Sequence, residues 1–182
     1  MDKSVDKVAK QGTTCQFTEK KQKVGRTQTK ALYFTVLPML IGEYQHKMDA
    51  KKRLPLPARF REQLGSRVIV TRGLEGCLFV YSVSVWNEVA DKLIKAPQGT
   101  EASRGFTRLL LSSANELEFD ALGRVLVPES LKDYAGLSKT VKIVGVGNRL
   151  ELWSNERWEQ YRDRAEKSIG DMAEKMGELG LY

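Results

Sequence analysis

From Ile41 onward, hydrophobic and polar positions follow periods that predict regular structure, whereas residues 1–30 follow neither a helical nor a strand period. Leu54 and Leu56 are two positions apart, which places both on one face of a short strand. The β-branched run at 68–71 predicts a further strand. Apolar residues at i, i+3 and i+7 then predict an amphipathic helix: Trp86, Val89 and Leu93.

The same series of positions occurs twice, about 71 residues apart. "DAKKRLPLP" begins at Asp49 and "DALGRVLVP" begins at Asp120. A shift of 71 aligns like residues: Arg53 with Arg124, Pro57 with Pro128 and Gly65 with Gly136. After one inserted residue, a shift of 72 aligns the rest: Ile69 with Val141, Tyr81 with Trp153, Ser82 with Ser154 and Trp86 with Trp158. So many matches indicate an internal duplication.

Each copy predicts the same order of elements, which is strand, tight turn, strand, short helix, strand, strand and longer helix. The predicted first strands cover 44–49 and 115–120, and the turns follow at 50–52 and 121–123. The short helices begin at Pro57 and Pro128 and end near the aligned glycines. The longer helices have as predicted N-caps Ser84 and Ser154. A helix over 101–112 links the copies, and an apolar stripe predicts a helical tail: Ile169, Met172, Met176 and Leu179.

A single copy of about 45–50 residues is small for a core of its own. Two copies in one chain can close one β-core between them. We therefore predict an α+β, β-rich fold in which two ββαβ units form a pseudo-symmetric barrel with flanking helices. The predicted boundaries are an extension at 1–38, units at 41–88 and 114–160, a linking helix region at 97–113 and a helical tail at 161–182.

The net charge of +7 is concentrated at the beginning of the chain. Residues 1–38 contain eight Lys or Arg and three Asp or Glu, a balance of +5, which leaves +2 for residues 39–182. Because this segment has no periodic apolar content, we predict that it is disordered. Two interpretations stay open: a basic arm, or a start codon assigned too early, with Met39 as the true first residue.

The chain has no apolar run near the roughly 20 residues that span a bilayer, and no apolar segment behind its first charges that would suit a secretory signal. Its two cysteines, Cys15 and Cys77, form no CxxC motif. A reduced, cytosolic compartment and no membrane partner are expected.

Residues suited to catalysis are scarce. His46 is the single histidine, and its place before a hairpin turn predicts a surface strand residue rather than a base. The segment Gly145–Gly147 lacks the third glycine of a dinucleotide-binding loop. We expect neither an enzyme nor a small-molecule substrate, and no metal or cofactor.

The two predicted hairpin turns carry the same DxxxR motif, Asp49 with Arg53 and Asp120 with Arg124. The aspartate can accept backbone N–H groups of its turn and orient the planar guanidinium. An isolated motif of this kind is more often a turn aspartate beside a solvated arginine. Its duplication at equivalent positions favours a binding role, and so do the basic neighbours in the first copy.

Four segments resemble the MraZ family of bacterial transcriptional regulators: DAKKRLPLPARFR, FTRLLLSSANELEFD, DALGRVLVPESLK and LELWSNERWEQY. The resemblance covers about residues 39–165 in order. It implies two units of the SpoVT-AbrB type in a duplicated swapped-hairpin barrel, and a ring-shaped homo-oligomer. It further implies a cytoplasmic, nucleoid-associated protein that binds double-stranded DNA at promoter repeats of the division and cell-wall gene cluster, including its own promoter.

By this resemblance the DxxxR residues contact DNA: Asp49, Arg53, Asp120 and Arg124. Charge and position add Lys51, Lys52 and Arg59 as candidates. The family usually has glycine where this chain has Lys52, and a lysine there is strained if the turn needs a positive φ. We expect Trp86, Trp158 and Tyr161 in the core rather than stacked on bases. The alternative is a non-enzymatic oligomeric scaffold or an antitoxin-like module whose main ligand is a protein.

Overall fold

The structure is a computed structural model that describes residues 39–181. The first copy contains β1 (Leu40–Lys47), β2 (Arg53–Pro55), α1 (Ala58–Leu64), β3 (Arg67–Arg72), β4 (Leu78–Ser82) and α2 (Val83–Lys95). The linking helix is α3 (Glu101–Ser112). The second copy contains β5 (Asn115–Glu118), β6 (Arg124–Leu126), α4 (Glu129–Ala135), β7 (Thr140–Gly147), β8 (Leu150–Ser154) and α5 (Asn155–Lys167), followed by α6 (Ile169–Glu178). The extension expected at 1–38 lies outside the described residues.

The two copies exchange strands. Six strands form one antiparallel sheet in the order β1-β7-β8-β4-β3-β5, and β2 pairs with β6 in a separate two-stranded ladder. The first strand of each copy therefore pairs with the third strand of the other copy. A mixed α+β fold built by duplication is confirmed. Among the described strands the hydrogen-bonded order is open from β1 to β5, so the closed barrel stays a prediction.

Both faces of the six-stranded sheet are buried along its central strands, whereas the outward positions of the edge strands β1 and β5 are exposed. The inner face and the β2–β6 ladder share one core with α1 and α4, which includes Leu54, Phe60, Val68, Val70, Val125, Leu131, Ile143 and Leu152. The outer face packs against α2 and α5 through a second cluster: Ile69, Phe79, Tyr81, Trp86, Val144, Trp153, Trp158 and Tyr161. The three aromatic residues of α2 and α5 thus lie in a core, as the sequence predicts.

The register of the sheet corrects the alignment of the two copies by one residue. Gln45 pairs with Lys142, and the equivalent pair in the other half is Glu116 with Ile69. Ile69 therefore corresponds to Lys142, an offset of 73, and not to Val141. Burial agrees, because Ile69 belongs to the outer cluster whereas Val141 belongs to the inner core. Since Gly65 still matches Gly136 at 71, the second copy has two extra residues between its short helix and β7.

Three helix starts, those of α1, α2 and α4, differ from expectation. Ser82, rather than Ser84, caps α2, because its hydroxyl accepts the backbone N–H of Val85 at 3.3 Å. The equivalent Ser154 caps α5 as predicted. Pro57 and Pro128 occupy the N-cap position, one residue before the first helical residue.

His46 lies half-buried on β1, which agrees with its interpretation as a strand residue.

Candidate nucleic-acid interface

The two DxxxR motifs form one surface, because β2 and β6 pair with each other. Leu54 lies opposite Val125, and both side chains enter the inner core. Arg53 and Arg124 are each one position from this pair, so they lie on the opposite, outward face of the ladder. The turns also interlock, since Val127 N–H donates to the carbonyl of Lys52 at 3.0 Å and Leu56 N–H to that of Gly123 at 3.2 Å. We call the two turns with Asp49–Arg53 and Asp120–Arg124 the tip surface.

Asp49 holds the first turn through both of its carboxylate oxygens. Oδ1 accepts the backbone N–H groups of Lys51 and Arg53, each at 2.9 Å. Oδ2 accepts Nε of Arg53 at 2.7 Å. The backbone N–H of Arg53, and then its side chain, lower the pKa of Asp49 below its ordinary value. The carboxylate is therefore a fixed acceptor that sets both the turn and the direction of the Arg53 guanidinium.

The second turn repeats this arrangement with a tighter pair. Asp120 Oδ1 accepts the N–H groups of Leu122 and Arg124, each at 3.0 Å, and Oδ2 accepts Nε of Arg124 at 2.8 Å and Nη2 at 2.6 Å. The side-chain bond from Arg124 is the largest cause that lowers the pKa of Asp120 to about 2. Nη1 of Arg124 also lies 3.4 Å from Oδ2 of Asp49. This contact joins the two motifs.

The third position of each turn requires left-handed backbone. Lys52 has φ 62° and Gly123 has φ 72°. Glycine adopts this region freely, whereas an L-residue there costs roughly 1–2 kcal/mol. The positive φ on which the expected strain at Lys52 depends is therefore present, and the strain itself stays a prediction.

The additional basic candidates lie around the first turn, and they differ in whether their side chains are exposed or already paired. The side chains of Lys51 and of Arg59, which lies on α1, are exposed. Lys52 forms an ion pair with Glu129 of α4, an interaction between the copies that the local sequence does not indicate. Lys51 and Arg59 are therefore accessible to a ligand, whereas Lys52 must exchange an existing partner.

Arg61 of α1 is a basic residue that lies against the tip surface and is not among the predicted DNA contacts. Its Nε donates to the carbonyl of Leu56 at 3.1 Å, and its guanidinium covers the turn of the other copy. A Cβ at position 123 would lie 2.2 Å from Arg61 Nη1, so Gly123 leaves room for this arginine. The sequence contains both partners, a glycine in the second turn and an arginine after the first turn. Their contact could not be predicted, because only the pairing of β2 with β6 brings them together.

The described residues contain no cluster of three or more potential metal ligands. Cys77 is buried, and burial raises the pKa of its thiol, the opposite of what a nucleophilic cysteine requires. None of the helices within residues 39–181 is long and apolar enough to cross a membrane. The chemistry that the tip surface offers is recognition by oriented guanidinium groups.

A family model described as "MraZ protein, putative antitoxin-like" matches residues 39–109 and again residues 110–178, so it covers both copies. The chain belongs to the MraZ family. Proteins named "Transcriptional regulator MraZ" match over 143 residues, 79% of this chain and the whole length of each relative. The identity is 46% for the protein of Alkaliphilus metalliredigens, 48% for that of Ligilactobacillus salivarius and 44% for that of Clostridium acetobutylicum. The MraZ family is thus one of transcriptional regulators and not of enzymes, which confirms that expectation.

Proposed function

We propose that the protein is a sequence-specific transcriptional regulator that binds double-stranded DNA through the tip surface. The observation that carries the proposal is the pair of guanidinium groups held on one outward face by Asp49 and Asp120. Oriented side chains lose less conformational freedom on binding than mobile ones, so the two carboxylates prepare the arginines for recognition.

Arginine reads guanine by two parallel hydrogen bonds to O6 and N7 in the major groove. Within the described residues, Arg53 gives only its Nε to Asp49, and its side chain is 34% exposed. Arg124 donates Nε and Nη2 to Asp120, approaches Asp49 with Nη1, and is only 20% exposed. We therefore assign the main base contact to Arg53 and a weaker or supporting one to Arg124.

Lysine and arginine side chains beside the first turn supply the sequence-independent part of the affinity. Lys51 and Arg59 are exposed there, and each contact with a phosphate releases a counterion, which makes binding sensitive to salt. Lys52 joins them if its bond with Glu129 opens. Such contacts set the register on the duplex while the arginines read bases.

A single tip surface is small, so we further propose a ring-shaped homo-oligomer that presents several of them to repeated DNA boxes. Linked sites bind more tightly because the second contact is intramolecular. By family resemblance the boxes lie in the promoter of the division and cell-wall genes, including the protein's own, which makes it nucleoid-associated. The inner core shared by the six-stranded sheet and the β2–β6 ladder supports closure of the strands into a swapped-hairpin barrel within each protomer.

The test is a DNase footprint of the purified full-length protein on DNA upstream of its own gene. We expect regularly spaced protected boxes that disappear as salt rises. No protection at any salt, together with unaltered mobility of the duplex, would contradict the proposal. It would favour the alternative expected from the sequence, a non-enzymatic oligomeric scaffold or an antitoxin-like module whose main ligand is a protein; the family description contains the words "putative antitoxin-like".

A further inference from the structure

A cleft of about 640 Å³ lies beside the first turn, between that turn and the segment that connects α4 to β7. The turn contributes Met48, Asp49, Ala50 and Lys52, and the other wall contains Lys132, Leu137, Ser138 and Lys139. Three lysines therefore face one opening. The carboxylate of Asp49 is already engaged by Arg53 and two backbone N–H groups.

The far wall of this cleft exists because of the two extra residues in the second copy. α4 ends at Gly136 in the left-handed conformation, with N–H of Leu137 bonded to the carbonyl of Lys132 at 2.9 Å. Leu137 then enters the inner core, whereas Ser138 and Lys139 remain exposed. The first copy passes from Gly65 to β3 through Ser66 alone, so it has no equivalent wall.

The place beside the second turn that corresponds to this cleft is lined by different residues. By the register, Lys52 corresponds to Gly123, Lys132 to Arg61 and Lys139 to Ser66. There Arg61 lies against Gly123, so the arginine occupies the space that is open beside the first turn. The cleft is thus a property of one hairpin and not of the repeat.

A carboxylate of the protein already pairs with two of the three lysines of the cleft. Glu129 pairs with Lys52, and its other oxygen lies 3.4 Å from Nζ of Lys132. The Glu129 side chain is half exposed, so it can rotate away when another anion arrives. The arrangement resembles a site in which a carboxylate of the protein holds the place of another oxyanion.

We infer that this cleft binds a phosphate group of the DNA backbone next to the base pairs that Arg53 contacts, with Lys52, Lys132 and Lys139 as ligands and Glu129 as the competing anion. This rests on the proposed function. The site fixes the polarity of the protein on its DNA, because only the first hairpin carries it. The site also gives a reason for a lysine at position 52: its positive charge binds the phosphate, although its side chain strains the backbone of the turn.

The experiment measures binding of the full chain to promoter and scrambled duplexes by fluorescence anisotropy at 50 and 200 mM salt. Lys132→Ala and Lys139→Ala should each weaken binding to both duplexes. Raising the salt from 50 to 200 mM weakens binding by some factor, and that factor should be roughly threefold smaller for each phosphate contact removed. Lys132→Arg and Lys139→Arg should retain most of the affinity, and melting curves verify folding. Glu129→Gln should tighten binding to both duplexes severalfold.

The matched controls are Lys95→Ala and Asp91→Asn, which make the same charge changes in an exposed ion pair of α2, across the sheet from the tip surface. If the cleft variants behave like these controls while the wild-type protein binds DNA, the phosphate site is wrong and the proposed function stands. If the wild type binds no DNA, the proposed function itself fails. Titrations with inorganic phosphate and with ATP test whether the cleft binds a free phosphate compound rather than a phosphate of the DNA backbone. Saturable binding that is lost in Lys132→Ala, with DNA affinity unchanged, would overturn the assignment to the DNA backbone.

Discussion

The strained turn at Lys52 gives a prediction that separates stability from DNA affinity: two substitutions should differ in stability while they lose DNA affinity to the same extent. Lys52→Gly removes the cost of a side chain at φ 62°, whereas Lys52→Ala keeps it. Both variants lose the same ion pair with Glu129, whose partners are about half exposed and which is worth at most about 1 kcal/mol. The difference between the two variants therefore isolates the backbone.

The left-handed conformation costs an L-residue roughly 1–2 kcal/mol, and the greater freedom of glycine in the unfolded chain offsets about 0.4–1 kcal/mol of that gain. Lys52→Gly should thus be more stable than Lys52→Ala by about 1 kcal/mol. For a chain of this size the difference corresponds to roughly 2–4 °C in melting temperature. Both variants should bind promoter and scrambled duplexes more weakly than the wild type, because both lack the same positive charge.

Differential scanning calorimetry and anisotropy on the same samples measure the two effects. The reciprocal variant Gly123→Ala is the control, and it should lose stability because φ is 72° and the new Cβ displaces Arg61. Equal melting temperatures for Lys52→Gly and Lys52→Ala would refute the strain argument. Wild-type DNA affinity in both would refute the phosphate role of Lys52.

Three further predictions concern other parts of the chain. A protein that starts at Met39 should melt within a few degrees of the full chain, because both described cores consist of residues 40–161; a loss of cooperativity in calorimetry would show that the earlier residues contribute to folding. Assembly beyond a dimer is expected from the family resemblance, with the exposed Phe106 and Leu109 of α3 as candidate contacts; native mass spectrometry at micromolar concentration tests it, with a monomer as the contrary result. Because the bonds from Arg124 lower the pKa of Asp120 from its ordinary value of 3.8 to about 2, Asp120 stabilises the fold above about pH 4, and this contribution disappears as pH falls to about 2. Urea unfolding of Asp120→Asn should accordingly depend less on pH in that window than the wild type, and identical slopes would contradict the assignment.

Local chemistry made the tip surface predictable from sequence. An aspartate four residues before an arginine, with a turn between them, bonds backbone and side chain within one short segment, so its geometry follows from neighbouring residues. The positive φ at Lys52 agrees with the glycine that the family usually has at this position. The assignment of DNA contact to these residues came from family resemblance and stays a prediction.

Long-range pairing could not be derived from the residues alone. The strand containing 68–71 is buried on both faces, so its apolar run does not reveal which residues face inward, and the aligned copies slipped by one position. The same slip hid the two extra residues that form the wall with Lys139. Arg61 and Glu129 were missed because their partners lie in the other copy, more than 60 positions away.

The most direct test of the central claim is the binding of Arg53→Ala to the footprinted promoter DNA, measured with a scrambled duplex in parallel. We expect a folded protein, because Arg53 lies on the outward face of the ladder and its partly exposed ion pair contributes little to stability. We expect a loss of about 1–3 kcal/mol in specific binding per engaged site, and a smaller loss for Arg124→Ala. A folded Arg53→Ala that binds the promoter as tightly as the wild type would contradict the role given to the tip surface.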